Sequence, residues 1–392
     1  MWDCRAPSDD HLKSRIPEGF RQPIAHGVRR TAGMRPLLLK IILPPLLLFF
    51  LFATAADLFA ASPISDYQSV FRPFYDADGT LLAATRRYSR GDDARFLVLD
   101  PDRFDFREMT AASVFESRPA TADAWRETPF ARALARQTAP PFPLQNDGLR
   151  EAEHPVRGFF LTADLCPAKR PLDRGFIEAL TALPLKQPVP LALMVSGLWI
   201  QRHQDDFAWL RNQVAAGKLA ITWGNHSFTH PYDPAPPLEK NFLLSPGTDF
   251  TAEALSLEAL LLEAGLIPSP FFRFPGLVSN RRLIEKLRDL QLIPIGSAAW
   301  LAKGETPRSG SLILVHANGN EPEGTRLLRD FLAGQRETFR RGDAALLPAR
   351  RHQLLHQRPG LPGQGPRSVG NRGVRGVRPD PGLHPGPRLA GR

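Results

Sequence analysis

The sequence predicts an α/β fold: a barrel of about seven strands behind a small loop-rich leading region. Three observations predict it. From Gly158 onward, short apolar runs alternate with segments of helical period. The polar residues able to do chemistry fall at the carboxyl ends of those runs, where parallel α/β folds place their sites. Finally, 392 residues with 43% hydrophobic content are enough for one full-sized core.

The elements follow in order. "GFFLTAD" precedes a helix candidate at 172–183, "VPLALMVSG" one at 205–216, and "KLAITWG" leads into a pair of histidines. A helix at 251–264 comes before "FFRFPG", a helix at 280–290 before "LIPIGS", and "SLILVH" comes before a helix at 325–339. Such strand-then-helix repeats imply a parallel sheet covered by helices. Residues 62–157 form the leading region, with a hairpin expected around Asp78-Gly79 and a linker-like run in "TAPPFPLQNDG". The barrel itself is assigned to 158–340.

The net charge of +10 sits mostly at one end, since residues 349–392 hold nine Arg against one Asp, among nine Gly and seven Pro. Such a segment has too few large side chains to offset its ordering entropy, so 341–392 is expected to be a disordered Arg/Gly/Pro tail. Arg with Gly is also a style of RNA binding, and a frame error in a GC-rich gene would give the same composition. At the other end, Arg35 and Lys40 precede an apolar stretch and then Ala53 and Ala55. Residues 34–56 therefore read as a secretory signal peptide, or an uncleaved membrane anchor, and 1–33 as an upstream extension. Pro44 and Pro45 interrupt the apolar run, which argues against a spanning helix. The expected destination is periplasmic or extracellular, and export argues against nucleic acid as a partner. Only Cys4 and Cys166 occur, so an exported protein that has lost Cys4 has no internal disulfide framework.

The chemistry centres on "NHSFTHP". His226 and His230, four positions apart, would present two ring nitrogens to one ion if a helical turn joined them. Two solvent-facing or core histidines are the plainer explanation of the pair alone. Ser227 follows His226 where a zinc protease would have Glu, so a general base must come from elsewhere. Other strand ends offer Asp164 in "TADLCP", Arg273 in "FFRFPG" and His316 in "LILVH". Each has a bland alternative: Arg273 a structural ion-pair partner, His316 a satisfied strand-end histidine. "HQDD" at 203–206, Asp173 and Asp249 read as helix caps or surface pairs.

Taken in order, "TADLCP", "GNHSFTH", "RFPG" and "LILVH" resemble the motifs of the polysaccharide deacetylase family, the NodB-homology domain or carbohydrate esterase family four. The likeness runs over roughly 158–331. It implies a distorted (β/α) barrel and a divalent metal, zinc first and cobalt or nickel next, that helps remove acetyl groups from an acetylated polysaccharide. It further implies Asp164 as base, Arg273 as its clamp, His316 as acid, and Trp300 and Pro275 as residues lining the substrate site. "RFPG" lacks one residue of the family's R-x-P-x-G spacing, because Gly276 follows Pro275 directly.

The main departure is in the first motif. Where the family has T-F-D-D-G, "TADLC" puts Leu165 on the second, metal-binding Asp and Cys166 on the glycine. The implied ligand set is therefore His226 and His230 with Asp164 or another oxygen such as a water's, a Cys166 thiolate being a further candidate whose plainer role is a small buried thiol. The rival to an enzyme is a non-catalytic glycan-binding relative whose metal site is degenerate. The sequence carries no signal for oligomeric state.

Overall fold

The computed structural model describes residues 63–349 and Leu354. The extension 1–33, the signal-like segment 34–56 and all of 350–392 except Leu354 lie outside the described residues.

In the leading region, β1 (Ile64–Tyr75), β2 (Leu81–Arg90), β3 (Asp93–Asp100), β4 (Asp105–Thr110) and β5 (Arg118–Pro119) form an antiparallel sheet ordered β4-β3-β2-β1-β5. The expected hairpin joins β1 to β2. Its turn is closed by the Asp76 carboxylate, which accepts from the Asp78 and Thr80 N–H groups at 3.1 and 2.9 Å, and Gly79 takes φ 78°. The region is thus more regular than its loop-rich sequence suggests, because alternate residues such as Leu82, Ala84, Phe96 and Val98 pack into a small apolar cluster. Helices α1 (Ala111–Phe115), α2 (Ala122–Arg126) and α3 (Pro129–Gln137) follow, each started by a threonine whose hydroxyl accepts a backbone N–H.

The second sheet is built from β6 (Gly158–Leu165), β7 (Val189–Val195), β8 (Leu219–Asn225), β9 (Phe271–Phe272), β10 (Ile293–Pro294), β11 (Ala299–Trp300) and β12 (Leu312–His316). They run parallel in the order β10-β9-β8-β7-β6-β12-β11. Around them lie α4 (Arg174–Thr181), α5 (Gly197–Arg202), α6 (Gln204–Ala215), α7 (Phe250–Glu263), α8 (Arg281–Asp289), α9 (Pro322–Gly334) and α10 (Arg336–Arg341). This is the distorted barrel the sequence predicts. Among the described residues, strand pairing does not join β10 to β11. Residues 149–152, next to the linker-like run, instead link β10 to the start of β12: the Leu149 N–H donates to the Pro294 carbonyl at 2.9 Å, and the Leu312 N–H donates to the Arg150 carbonyl at 2.9 Å.

Helices α4, α6, α7 and α8 start and stop within about two residues of their sequence-read limits, as periodic apolar faces allow. The expected helix at 325–339 is two helices meeting at Gln335, and α5 is an addition. The fold also continues past the expected boundary at 341. Strand β13 (Ala345–Leu346) pairs with the start of β6, and Leu354 is buried. No helix among the described residues is long and apolar enough to cross a membrane.

Strand β6 sets up the site through its period of two. Phe159, Leu161, Ala163 and Leu165 pack into the cluster shared with α4, α6 and α9, while Thr162 and Asp164 meet Arg273 on the other face. All eight residues are buried, so the strand has no solvent face.

Candidate metal centre and catalytic site

Four strand ends converge. His316 stands opposite Asp164 in the β12–β6 register, and Asn225 pairs with Phe272, so His226 and Arg273 leave neighbouring strands side by side. Of the residues read from the sequence, Asp164, His226, His230, Arg273 and His316 are all buried around this point.

Arg273 is wholly buried and donates from Nη1 to Asp164 Oδ1 at 2.7 Å and to Thr162 Oγ1 at 2.8 Å, and from Nη2 to the Gly296 carbonyl at 2.8 Å. Burial works against the charge on Asp164, but the Arg273 guanidinium and its hydrogen bond, together with His226 and His316, hold the carboxyl below its ordinary range. The other carboxylate oxygen, Oδ2, lies 3.6 Å from His226 Nε2.

His226 and His230 come close without a helix. Their loop is extended and bent, with Ser227 at φ 66° and His230 at φ 48°, and the two rings stand 4.8 Å apart. Local hydrogen bonds hold that strained backbone. Ser227 N–H donates to Asn225 Oδ1, His230 N–H to Ser227 Oγ, and the Phe228 and Thr229 N–H groups both donate to Glu253 Oε2 at 2.9 and 2.8 Å. Gly197 lets the loop settle, since a Cβ there would lie 2.3 Å from the Phe228 ring. Gly276 does the same on the other side: at φ 62° it leaves room for Phe242, whose ring meets that of His230 edge-on at 5.9 Å.

His226 Nδ1 is 2.8 Å from the Arg273 carbonyl. A carbonyl only accepts, so Nδ1 carries the proton and Nε2 keeps its lone pair. His230 Nε2 is buried with no hydrogen-bond partner. Burial pushes both imidazoles down, His230 further because His226 lies beside it, so both are neutral and able to ligate near neutral pH. Together with Cys166 Sγ, their ligand atoms all lie within 4.8 Å of one another. The donor set, the neutral rings and the orphaned nitrogen fit a metal ion.

His316 has the opposite bias. Burial alone would lower it, but its Nδ1 lies 2.7 Å from Glu321 Oε2, and this hydrogen bond and charge hold the imidazole above its ordinary range. Glu321 also accepts the Trp300 indole N–H at 2.8 Å. Trp300 and Pro275 are themselves buried, with the Lys303 ammonium 3.7 Å over the Trp300 ring. The visible work of Trp300 is therefore on Glu321.

Glu321, Glu253 and Thr162 escaped the sequence reading. Glu321 lies five residues beyond His316 in "HANGNEPEG", and a carboxylate just after a strand-end histidine is the signal that could have found it. Glu253 sits on α7 and offered none. Asp249 and Asp173 are the expected caps, of α7 and α4, and Asp173 also pairs with Arg329 at 3.3 Å. Asp206 holds Leu172 N–H and Arg174 rather than capping α6.

No family model matches the chain. Among solved structures it is similar to a family 4 carbohydrate esterase from Bacillus anthracis, at 17% identity over 52% of this chain and 85% of that one, with a TM-score of 0.37. It is also similar to PdaA of Bacillus subtilis, a family 4 carbohydrate esterase, at 15% identity over 56% and 86% of the two chains and a TM-score of 0.37. A family 4 pseudoenzyme from Bacillus anthracis matches at 14% identity over 47% of this chain and 63% of that one, with a TM-score of 0.33. These likenesses are distant, and the chemistry is read from the side chains above.

Proposed function

We propose that the chain is a metal-dependent hydrolase that removes acetyl groups, from nitrogen or oxygen, on a cell-envelope or extracellular polysaccharide. One observation carries it: an Arg-clamped carboxylate, a Glu-held imidazole and two neutral imidazoles meet at the carboxyl ends of β6, β8, β9 and β12. A divalent ion held by His226 and His230, with Asp164 or Cys166 as the third ligand, would lower the pKa of water and polarise the acyl carbonyl there. Zinc suits nitrogen, oxygen and sulfur donors, with cobalt or nickel as its neighbours.

The chain's own groups then divide the proton work. Asp164, kept ionised by Arg273, takes a proton from the attacking water through the oxygen that faces His226. Arg273 fixes the angle of that carboxylate through its bonds to Thr162 and Gly296. His316, kept protonated by Glu321, gives a proton from Nε2 to the departing amine or alcohol. Trp300 steadies Glu321. Export through 34–56 would bring the enzyme to such a substrate.

Leu165 favours a second reading, a glycan-binding relative without turnover, because the side chain at the family's ligand position lies in the apolar cluster. Acetate release separates the two. The full chain, loaded with zinc and screened against N- and O-acetylated oligosaccharides, is expected to liberate acetate from at least one, and Asp164→Asn to do so far more slowly. Metal-replete protein that releases no acetate across the screen would favour the binding reading.

A further inference from the structure

We propose that the Cys166 thiolate is the third protein ligand of the metal held by His226 and His230, so that Asp164 stays free of the ion as the base. The proposal rests on the metal reading above and deepens it, replacing the ligand set that Asp164 would complete.

The geometry begins with β6. Its alternation turns Leu165 away from the site, so the next side chain able to return is that of Cys166, immediately past the strand end. Its backbone is pinned on both sides. The Leu165 carbonyl accepts from Ser196 Oγ at 2.9 Å, and the Cys166 carbonyl accepts from Asn318 Nδ2 at 2.8 Å. The sulfur, on a residue only 4% exposed, is 3.5 Å from His226 Nε2. That nitrogen has its lone pair directed outward, because Nδ1 is committed to the Arg273 carbonyl.

The cysteine is not alone in pointing to a ligand. His230 is 8% exposed, and its Nε2 has no partner in a protein interior, where such an atom normally finds one. Around a tetrahedral zinc, nitrogen and sulfur donors stand roughly 3.3–3.6 Å apart, given bond lengths near 2.0–2.3 Å. The Cys166–His226 separation already has that value, and His230 closes the trio within 4.8 Å. Three protein donors leave a fourth position open, as in catalytic sites. A thiolate also supplies the negative charge that two neutral imidazoles lack. Asp164 is less suited, because Oδ1 is bonded to Arg273 and its charge is already balanced there.

The test is the absorption spectrum of the full chain titrated with Co(II) under reducing conditions. We expect visible ligand-field bands with a thiolate-to-cobalt charge-transfer band in the near ultraviolet, at one ion per chain. The band should persist in Cys4→Ser and Asp164→Asn and vanish in Cys166→Ser. Even loss of a group that only supports a ligand weakens a metal about 10–100-fold, so Cys166→Ser should bind Co(II) more than about 100-fold more weakly. Ligand-field bands without charge transfer in the wild type would overturn the cysteine assignment and leave the metal reading standing. So would a band that follows Cys4. A wild-type chain that binds no cobalt would overturn both. The wild-type spectrum needs no variant to fold, and Cys166→Asp, which puts an oxygen donor in place of the sulfur, should bind the ion without the band.

Discussion

Two buried Arg–carboxylate pairs show what separates a pair that holds the fold from one that does chemistry. Arg86 of β2 and Glu258 of α7 are both fully buried and meet through two bonds, Nε to Oε2 at 2.7 Å and Nη2 to Oε1 at 3.0 Å. The Tyr67 hydroxyl adds a third to Oε2 at 2.9 Å, and Arg86 Nη1 donates to the Thr85 carbonyl. Both carboxylate oxygens are engaged, and the pair ties the leading sheet to the barrel. Arg273 and Asp164 are as deeply buried but lopsided. One Asp164 oxygen is bonded to Arg273, the other is turned toward the histidines, and Arg273 Nε is left without a partner. Saturation locks a charge in place, whereas an oxygen left open at equal burial is available to a substrate.

That contrast can be broken or sharpened by variants of matching chemistry. The largest effect is expected for Asp164→Asn, which keeps the shape and removes the proton acceptor. Turnover should fall about 10²–10⁴-fold, as for loss of a general base, with a cooperative thermal transition retained. Acetate-release kinetics and a melting curve check it together, and turnover near wild type would remove Asp164 from its role.

Next comes Glu258→Gln, which strips the charge from the saturated pair and strands Arg86. Losing one partner of a buried pair costs about 3–5 kcal/mol, a large part of a typical domain's stability. Denaturant titration should show that loss, while turnover of the protein still folded stays unchanged. Turnover falling with stability would make the two pairs one network.

The smallest effect is expected at Glu321. Its carboxylate raises His316, so the protonated acid persists to higher pH than an ordinary histidine allows. In Glu321→Gln that support is removed and the His316 pKa drops. The alkaline limb of the pH–turnover profile, where the acid is lost as pH rises, should therefore move to lower pH. The acidic limb should stay in place. An unmoved alkaline limb would show that His316 is not the acid that limits turnover at high pH.

The parallel barrel was largely legible, because its helices carry continuous apolar faces and its long strands are apolar throughout. What hid was structure made by partners distant in sequence. Strands β9, β10 and β11 are two residues each, too short to carry a period, and β13 is defined by pairing with β6 across the chain. The leading sheet was masked by charged residues on its open face, as in "LLAATRRYSR", where Arg86 looks like surface and is buried against a helix more than 170 residues away. The site shows the same division. Asp164, His226, His230, Arg273 and His316 could be named because strand ends are where such folds place chemistry, but Glu253 and Glu321 are recognised only when the loops they hold are seen in space. The histidine pair was legible as a pair, though the loop joining them is not a helix and holds Ser227 and His230 in the left-handed region.

The central claim is that the four strand ends form a metal centre, and the most direct measurement is metal content by elemental analysis of the full chain against His226→Ala and His230→Ala. Losing either imidazole leaves too few strong donors. The wild type should retain about one zinc-like ion per chain after dialysis, as expected of three protein donors around one ion, and each variant should retain little. Equal metal content in all three proteins, or none in the wild type, would contradict it.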